Sequence, residues 1–226
     1  MQITSMLRRS FLGLGLALVA GAAFGEVKVG TDFDLINPAR PVDTAGKVEV
    51  IEFFWFGCPH CNHLEPAVEK WEKTLGKDVV FRREHIMWEG RNDMANHVKL
   101  FVALKSMGII DKYTQAVFDA IHKDRIELRD EPKLMEWVAK QGIDRAKFEA
   151  AYKSFGAQAQ FARALQLTRD YKVNGVPTFV VNGKYTTSVG KFGSEERLFE
   201  VLNELIAKER DGLKPAAKAA DKPKKQ

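Results

Sequence analysis

The fold is decided by residues 47–61, which read KVEVIEFFWFGCPHC. The first ten of these residues are almost continuously β-branched or aromatic, which is typical of a central strand covered on both faces. A helical pattern of apolar residues then begins at Cys58-Pro59-His60-Cys61 and runs to about Leu75. The proline of this motif suits the first helical position, and its first cysteine suits the N-cap. A second strand is predicted at residues 78–84, so this region is predicted to be a β-α-β unit.

The next part of the chain has a different pattern, with almost no strand signal. Its apolar residues recur at helical spacing in five stretches: residues 94–107, 112–122, 132–141, 146–155 and 157–171. Asp130 and Asp144 precede two of these stretches and are typical helix N-caps. We therefore expect a helical subdomain, at about residues 92–172, inserted into an α/β scaffold.

Strand patterns return after the helical stretches. Residues 178–181 and 184–188 are separated by Asn182-Gly183, a pair that favours a β-hairpin with a type I′ turn. Ser194 then begins an amphipathic helix that has two glutamates in its first turn. The expected fold class is α/β, with the order β-α-β, helical block, β-β-α.

Composition and charge exclude several classes of protein. The chain has 226 residues, of which 45% are hydrophobic and 29% charged, and this excludes wholesale disorder. The formal net charge of +5 comes from the two ends, because residues 26–211 carry a net charge of −1. A body without a basic excess argues against a nucleic-acid partner.

The N-terminal residues have the pattern of a targeting signal, and the C-terminal residues have the composition of a mobile tail. In residues 1–25, Arg8 and Arg9 precede an apolar run and small residues, as in a cleaved secretory signal peptide. The alternative is an uncleaved membrane anchor, but the apolar stretch 10–24 is shorter than the roughly 20 residues that a spanning helix needs. Residues 212–226 form a Lys/Ala/Pro-rich tail that we expect to be mobile, with weak attraction to anionic lipid as the alternative. The signal places the domain between them, residues 26–211, outside the cytosol, where a Cys-x-x-Cys pair works in an oxidising compartment. We expect a soluble domain in a bacterial periplasm, with a eukaryotic lumen as the alternative.

The two cysteines of the chain, Cys58 and Cys61, are predicted to form a redox-active pair. At the start of a helix, free backbone N–H groups and the helix dipole stabilise a thiolate and so lower the pKa of Cys58. His60 adds a hydrogen-bond donor or a positive charge, while Cys61 is more shielded and keeps a higher pKa. This asymmetry predicts that Cys58 exchanges with a substrate and that Cys61 completes the exchange.

Besides a coincidental spacing, the residues alone leave two other interpretations of the pair open. One is a static structural disulfide, although so small a loop stabilises little. The other is half of a Cu(I) or Zn²⁺ site, with Cys58, Cys61 and His60 or His63 as ligands. A strand–turn–helix setting with Pro59 requires no metal, and none is expected. The histidines outside the motif are expected to be surface or packing residues: His63, His85, His97 and His122.

Four motifs follow one another along the body: Glu52-Phe53-Phe54, Cys58-Pro59-His60-Cys61, Gly175-Val176-Pro177-Thr178 and Val181-Asn182-Gly183-Lys184-Tyr185. Together they resemble the thioredoxin-like DsbA family of periplasmic thiol:disulfide oxidoreductases. The resemblance spans about residues 27–210 and includes a helical insertion of matching size and place. It implies a thioredoxin-like fold with an inserted helical subdomain.

The resemblance also implies roles for individual residues. The redox-active disulfide of the family falls on Cys58 and Cys61, with Cys58 as the nucleophile, and Pro59-His60 is the dipeptide associated with its oxidases. The cis proline of the family falls on Pro177, which would leave the Val176 backbone free to pair with an extended substrate. Without the resemblance, a trans proline that opens an edge strand is an equal alternative.

By the same resemblance, Glu52 corresponds to the buried acid of the family, which assists proton movement at the inner cysteine. The residues alone also allow the Glu52 side chain to point to a solvated strand end. Trp55 and Phe56 are core residues or line an apolar substrate surface. The implied function is an enzyme without a cofactor that donates its Cys58–Cys61 disulfide to reduced exported proteins. A membrane quinone-linked partner of the DsbB type would reoxidise it. The alternatives are a disulfide isomerase or reductase on the same fold, or a copper- or zinc-binding module.

Overall fold

The computed structural model describes residues 27–44 and 46–213. The predicted signal peptide, residues 1–25, and residues 214–226 of the predicted tail lie outside this range. Residues 212 and 213 were also expected to belong to the tail, but they are the end of the last helix. The reason is that a single glycine weakens a helix without ending it, and the first proline after this helix begins is Pro215.

The centre of the fold is a five-stranded mixed sheet. Its strands are β1 (Asp34–Leu35), β2 (Val48–Phe54), β3 (Val79–His85), β4 (Thr178–Val181) and β5 (Tyr185–Thr187). Their order in the sheet is β1-β5-β4-β2-β3, with β2 parallel to β3 and antiparallel to β4. All residues of β2 are buried, as the unbroken β-branched and aromatic run predicts.

Seven α-helices surround the sheet in the described part of the chain. They are α1 (Pro59–Glu72), α2 (Ala95–Ser106), α3 (Ile110–His122), α4 (Glu131–Lys140), α5 (Arg145–Tyr152), α6 (Phe155–Asp170) and α7 (Glu195–Leu213). Helices α2–α6, called the helical subdomain below, confirm the five predicted stretches. Asp130 and Asp144 are their predicted N-caps, and each side chain accepts a hydrogen bond from the first turn of its helix. None of the helices described is long and apolar enough to cross a membrane.

The hairpin between β4 and β5 has the predicted turn, with positive φ angles of 50° at Asn182 and 65° at Gly183. A side chain at Gly183 is excluded as well, because a Cβ there would lie 2.2 Å from the Arg40 carbonyl oxygen. Strand β1 was not predicted. It has two residues and pairs antiparallel with β5, which is too short a segment to show a strand pattern in the sequence.

The core consists of three apolar clusters, and the redox motif lies in the one that joins the two parts of the fold. Helices α1 and α7 cover one face of the sheet, and α2 and α6 cover the other. The third cluster connects Phe54, the last residue of β2, and Phe56, two residues after it, with residues of α2–α5. Cys58 and Cys61 belong to this third cluster. The inserted helices therefore form part of the surroundings of both sulfurs.

Candidate active site

Cys58 is the N-cap of α1 and Pro59 is its first residue, as predicted. The Cys58 backbone is extended (φ −88°, ψ 118°), and its N–H donates to the Trp55 carbonyl at 2.9 Å, which closes the turn between β2 and α1. Cys58 is 7% exposed, Cys61 is 1% exposed, and both are free thiols. The turn thus places one sulfur at the start of the helix and the other one turn deeper.

The surroundings of Cys58 lower the pKa of its thiol from 9.0 to about 6. The largest contribution is a hydrogen bond from the Cys61 thiol, which the sequence analysis did not anticipate. Burial opposes it, while the backbone N–H groups of Cys61 and His60 and the charge of the His60 imidazole lower the pKa further. As a neutral thiol, Cys58 accepts no capping hydrogen bond and donates to the Val176 carbonyl at 3.4 Å. The helix N-terminus therefore acts on the thiolate, the form that accepts hydrogen bonds.

Cys61 has the opposite environment. Burial raises the pKa of its thiol well above the usual value, and the hydrogen bond that it donates to Cys58 raises it further, as do the charges of Cys58 and Glu52. At neutral pH the reduced pair therefore holds one thiolate, on Cys58, and one proton, on Cys61. This is the asymmetry that the sequence analysis predicted.

Val176 and Pro177 lie next to this sulfur pair, joined by a cis peptide bond. The Val176 carbonyl is the acceptor of the Cys58 thiol, so the segment before β4 faces the start of α1. A groove of about 860 Å³ opens here, lined by His60, Leu64, Val176 and Pro177 together with residues of the loops before β4 and after β5. The predicted catalytic motif and the predicted substrate-binding dipeptide are thus brought together although more than a hundred residues separate them.

Glu52, on β2, is 1% exposed, so the alternative of a solvated strand end is wrong. Its Oε2 forms an ion pair with Arg83 Nε at 3.2 Å. Arg83 also contacts Glu65, whose Oε1 lies 2.9 Å from Nη2, and the half-exposed Glu72. Burial raises the pKa of Glu52 and of Glu65, because one guanidinium cannot balance several carboxylates out of water. The cluster therefore holds a proton at neutral pH.

Sequence reasoning missed Arg83 and Glu65. Both carried a signal: Glu65 follows Cys61 by four residues and so lies on the same face of α1. Arg83 is a charge within a predicted strand, and the parallel register pairs it directly with Glu52. Without the register of β2 against β3, nothing in the sequence connects these residues.

Three of the histidines surround the two residues before the motif turn. His85 and His97 are buried, His122 is half-buried, and all three bond to Trp55 or Phe56. His63 is an exposed residue on α1. Phe56 is fully buried in the core, and Trp55 is partly buried against it. Among residues 27–44 and 46–213, no three His, Cys, Asp or Glu side chains are grouped to hold a metal ion.

Comparison with known proteins decides the family. A sequence model of the DSBA-like thioredoxin domain matches residues 49–203. The chain is 40% identical over 208 residues to the thiol:disulfide interchange protein DsbA of Burkholderia cepacia, covering 91% of this chain and 97% of that protein. The DsbA of Pseudomonas syringae pv. tomato is 39% identical over 210 residues, with coverage of 90% and 97%. The chain belongs to the DsbA family.

Solved structures agree with this assignment. The crystal structure of Pseudomonas aeruginosa DsbA superimposes with a TM-score of 0.78 at 36% identity, covering 84% of this chain and 97% of that one. The DsbA-family protein described here is therefore a thioredoxin-like thiol:disulfide oxidoreductase, an enzyme that exchanges disulfides with protein thiols and requires a redox partner.

Proposed function

We propose that this enzyme works as an oxidase, donating the Cys58–Cys61 disulfide to reduced exported proteins. The observation that carries this direction is the lowered pKa of Cys58, about 6 against an ordinary 9.0. A stabilised thiolate favours the reduced enzyme, so the disulfide form gives up its bond readily. A reductase needs the reverse preference.

The exchange proceeds in two thiol–disulfide exchange steps. A substrate thiolate attacks Cys58 Sγ of the enzyme disulfide, the Cys58–Cys61 bond breaks, and a mixed disulfide forms while Cys61 leaves with the electron pair and takes up a proton. A second substrate thiolate then attacks the substrate sulfur of the mixed disulfide. Cys58 leaves as a thiolate, and the substrate gains its own disulfide. The low pKa of Cys58 makes it a good leaving group in this second step.

Glu52 supplies the proton that Cys61 takes up in this proposal. Cys61 is buried with a raised pKa, so its thiolate must be protonated at once. Glu52 is close enough to raise that pKa through its charge, and its own pKa is raised by burial, so it is able to hold a proton at neutral pH. Proton transfer from Glu52 would keep the buried charge of the site constant.

The substrate would bind along the groove beside Cys58. The backbone of Val176 and Pro177 would pair with an extended segment of the substrate, as an added strand does. His60 and Leu64 border the same groove, so a cysteine in that segment would lie at the start of α1. Recognition through backbone groups suits an enzyme that accepts many sequences.

The location and the partner belong to the same proposal. Residues 1–25 would direct export and be removed. Residues 26–213 would act as a soluble domain in the periplasm with residues 92–172 as its helical insertion, and the Lys/Ala/Pro-rich residues 214–226 would be its tail. A membrane protein of the DsbB type, linked to quinones, would reoxidise Cys58 and Cys61.

Equilibration of the mature protein with glutathione tests the proposed direction. We expect a disulfide far more oxidising than that of thioredoxin, together with oxidation of a reduced peptide that contains two cysteines. Given a peptide that contains a disulfide, reduced Cys61→Ser should accumulate the mixed disulfide on a non-reducing gel, because its Cys58 thiolate attacks the peptide disulfide, one peptide sulfur leaves as a thiolate and no Cys61 thiol breaks the product. Cys58→Ser should not form the mixed disulfide. A redox potential near that of thioredoxin would instead assign the protein to the reductases, and efficient rearrangement of a scrambled substrate would assign it to the isomerases.

A further inference from the structure

The backbone of Phe56 is held by two imidazoles from different parts of the fold. Its N–H donates to His85 Nε2 at 3.4 Å, and its carbonyl accepts from His122 Nε2 at 2.7 Å. His85 is the last residue of β3, whereas His122 is the last residue of α3 in the helical subdomain. Phe56 is fully buried and precedes Cys58 by two residues. The backbone N–H and the backbone carbonyl of Phe56 therefore both have a side chain as hydrogen-bond partner.

The hydrogen bonds determine which ring nitrogens carry protons. His85 Nδ1 lies 2.9 Å from the Ile86 carbonyl, so it donates there and leaves Nε2 to accept. Burial lowers the pKa of His85 to about 3, so the ring stays neutral near pH 7. His122 Nε2 faces a carbonyl oxygen and must carry a proton to bond with it.

A third imidazole supports the residue before Phe56. The Trp55 indole N–H donates to His97 Nδ1 at 3.1 Å. Burial lowers the pKa of His97 to about 4, which keeps it a neutral acceptor. The Trp55 carbonyl in turn accepts the Cys58 N–H. Hydrogen bonds thus connect the three imidazoles to residues 55 and 56, and residue 55 to the backbone N–H of Cys58.

We propose that His122 is a positioning residue for Cys58, acting through the Phe56 carbonyl and tying the helical subdomain to the redox turn. This inference rests on the proposed role of Cys58 as the exchanging thiolate. Without the His122 donor, the buried Phe56 carbonyl must find another partner, and the turn that carries Cys58 has to rotate to allow it. Rotation moves the sulfur away from the helix N–H groups and from Val176, both of which require close approach.

His122 can be tested more cleanly than the other two histidines, because it is half-buried while His85 and His97 lie in the core. His122→Leu removes the donor, whereas the amide of His122→Gln is long enough to replace it. A matched control is Tyr113→Phe, which removes a hydrogen bond from the same helix to the Gln141 carbonyl without touching the redox turn. Each variant is measured for the Cys58 thiolate pKa, kcat and KM on a two-cysteine peptide, and the urea midpoint of unfolding.

We expect His122→Leu to raise the Cys58 pKa by about half a unit and to lower kcat/KM about fivefold, the scale of one hydrogen bond. His122→Gln should restore both, and Tyr113→Phe should change the urea midpoint alone. If His122→Leu does not fold, His122→Asn, whose amide is too short, replaces it in the comparison with Gln.

Two results would overturn the inference. A donor-deficient variant that titrates and turns over like the wild type, while losing stability, would show a structural role only. The second result is a nitrogen NMR spectrum of the wild type in which the neutral His122 ring carries its proton on Nδ1. Nε2 could not then donate to the Phe56 carbonyl, and His122 could not position Cys58 in this way. A wild-type Cys58 pKa near 9 would instead refute the proposed function itself.

Discussion

Replacing Cys58 by serine should change the pH dependence of stability in the reduced protein. Serine occupies the same place but does not ionise, so the comparison isolates the thiolate. The folded protein lowers the pKa of Cys58 from 9.0 to about 6. A group whose pKa is lowered by folding stabilises the fold fully above the unfolded value and loses that effect as the pH falls through the folded value. The window for this group therefore extends from pH 9 down to pH 6.

The magnitude follows from the two pKa values. Relative to Cys58→Ser, the reduced wild type should gain about 1.4 kcal/mol of unfolding free energy at pH 7, about 2.7 kcal/mol at pH 8 and about 4 kcal/mol at the upper limit. The oxidised wild type has no thiolate and should show no such gain. By the same linkage, the gain at pH 7 makes the disulfide about 30 mV more oxidising, and the upper limit corresponds to about 90 mV.

Urea unfolding, followed by circular dichroism between pH 5 and pH 9, measures this difference. Reduced wild type, oxidised wild type and reduced Cys58→Ser are compared in parallel, so that titrating groups away from the two sulfurs cancel. A difference between the two reduced proteins that stays constant with pH would mean that folding leaves the ionisation of Cys58 unchanged, contrary to this prediction.

Three further predictions concern the groups around the sulfurs and the hairpin. His60→Ser should raise the Cys58 pKa by about half a unit, because the imidazole charge is one of several contributions; thiolate absorbance measures it. Glu52→Gln should slow the attack of a reduced peptide on the oxidised enzyme about tenfold or more, by removing the proton donor to Cys61. Glu209→Gln should lower the unfolding free energy by about 2 kcal/mol at pH 7, because the carboxylate accepts hydrogen bonds from Asn182, Lys184 and Tyr185.

Each of these predictions has a control or a contrary outcome. An unchanged thiolate titration in His60→Ser would remove that residue from the site. Glu49→Gln is the control for Glu52→Gln, because Glu49 is also buried on β2 but pairs with Arg82; equal slowing in both would contradict a specific proton transfer. Burial opposes the ionisation of Glu209, but hydrogen bonds from Lys184, Asn182 and Tyr185 outweigh it and lower its pKa. The effect of Glu209→Gln should therefore shrink as acid protonates the wild-type carboxylate, and a constant effect would argue against this origin.

Local patterns were sufficient to predict most of the fold. The apolar run in β2, the Asp130 and Asp144 caps and the Asn182-Gly183 turn each depend on neighbours in sequence, and each prediction is confirmed. The prediction of the tail boundary was wrong by two residues, since a glycine alone does not end α7. Strand β1 was missed because its two residues are defined only by their pairing with β5.

The part of the site that depends on residues adjacent in sequence was predictable. The thiolate at a helix N-terminus follows from Cys58-Pro59 and the strand before it. The Cys61 thiol as the largest stabilising partner, the pairing of Glu52 with Arg83 and the imidazoles on Phe56 all depend on tertiary geometry. Such contacts join β2, β3 and α3. The residue pattern of one segment does not predict how that segment aligns with another.

A pH titration of thiolate absorbance in the reduced mature protein measures directly whether folding makes Cys58 acidic. We expect a step of one thiolate at about pH 6 that is absent from Cys58→Ser. A first step near pH 9, or a step at pH 6 that persists in Cys58→Ser, would contradict it.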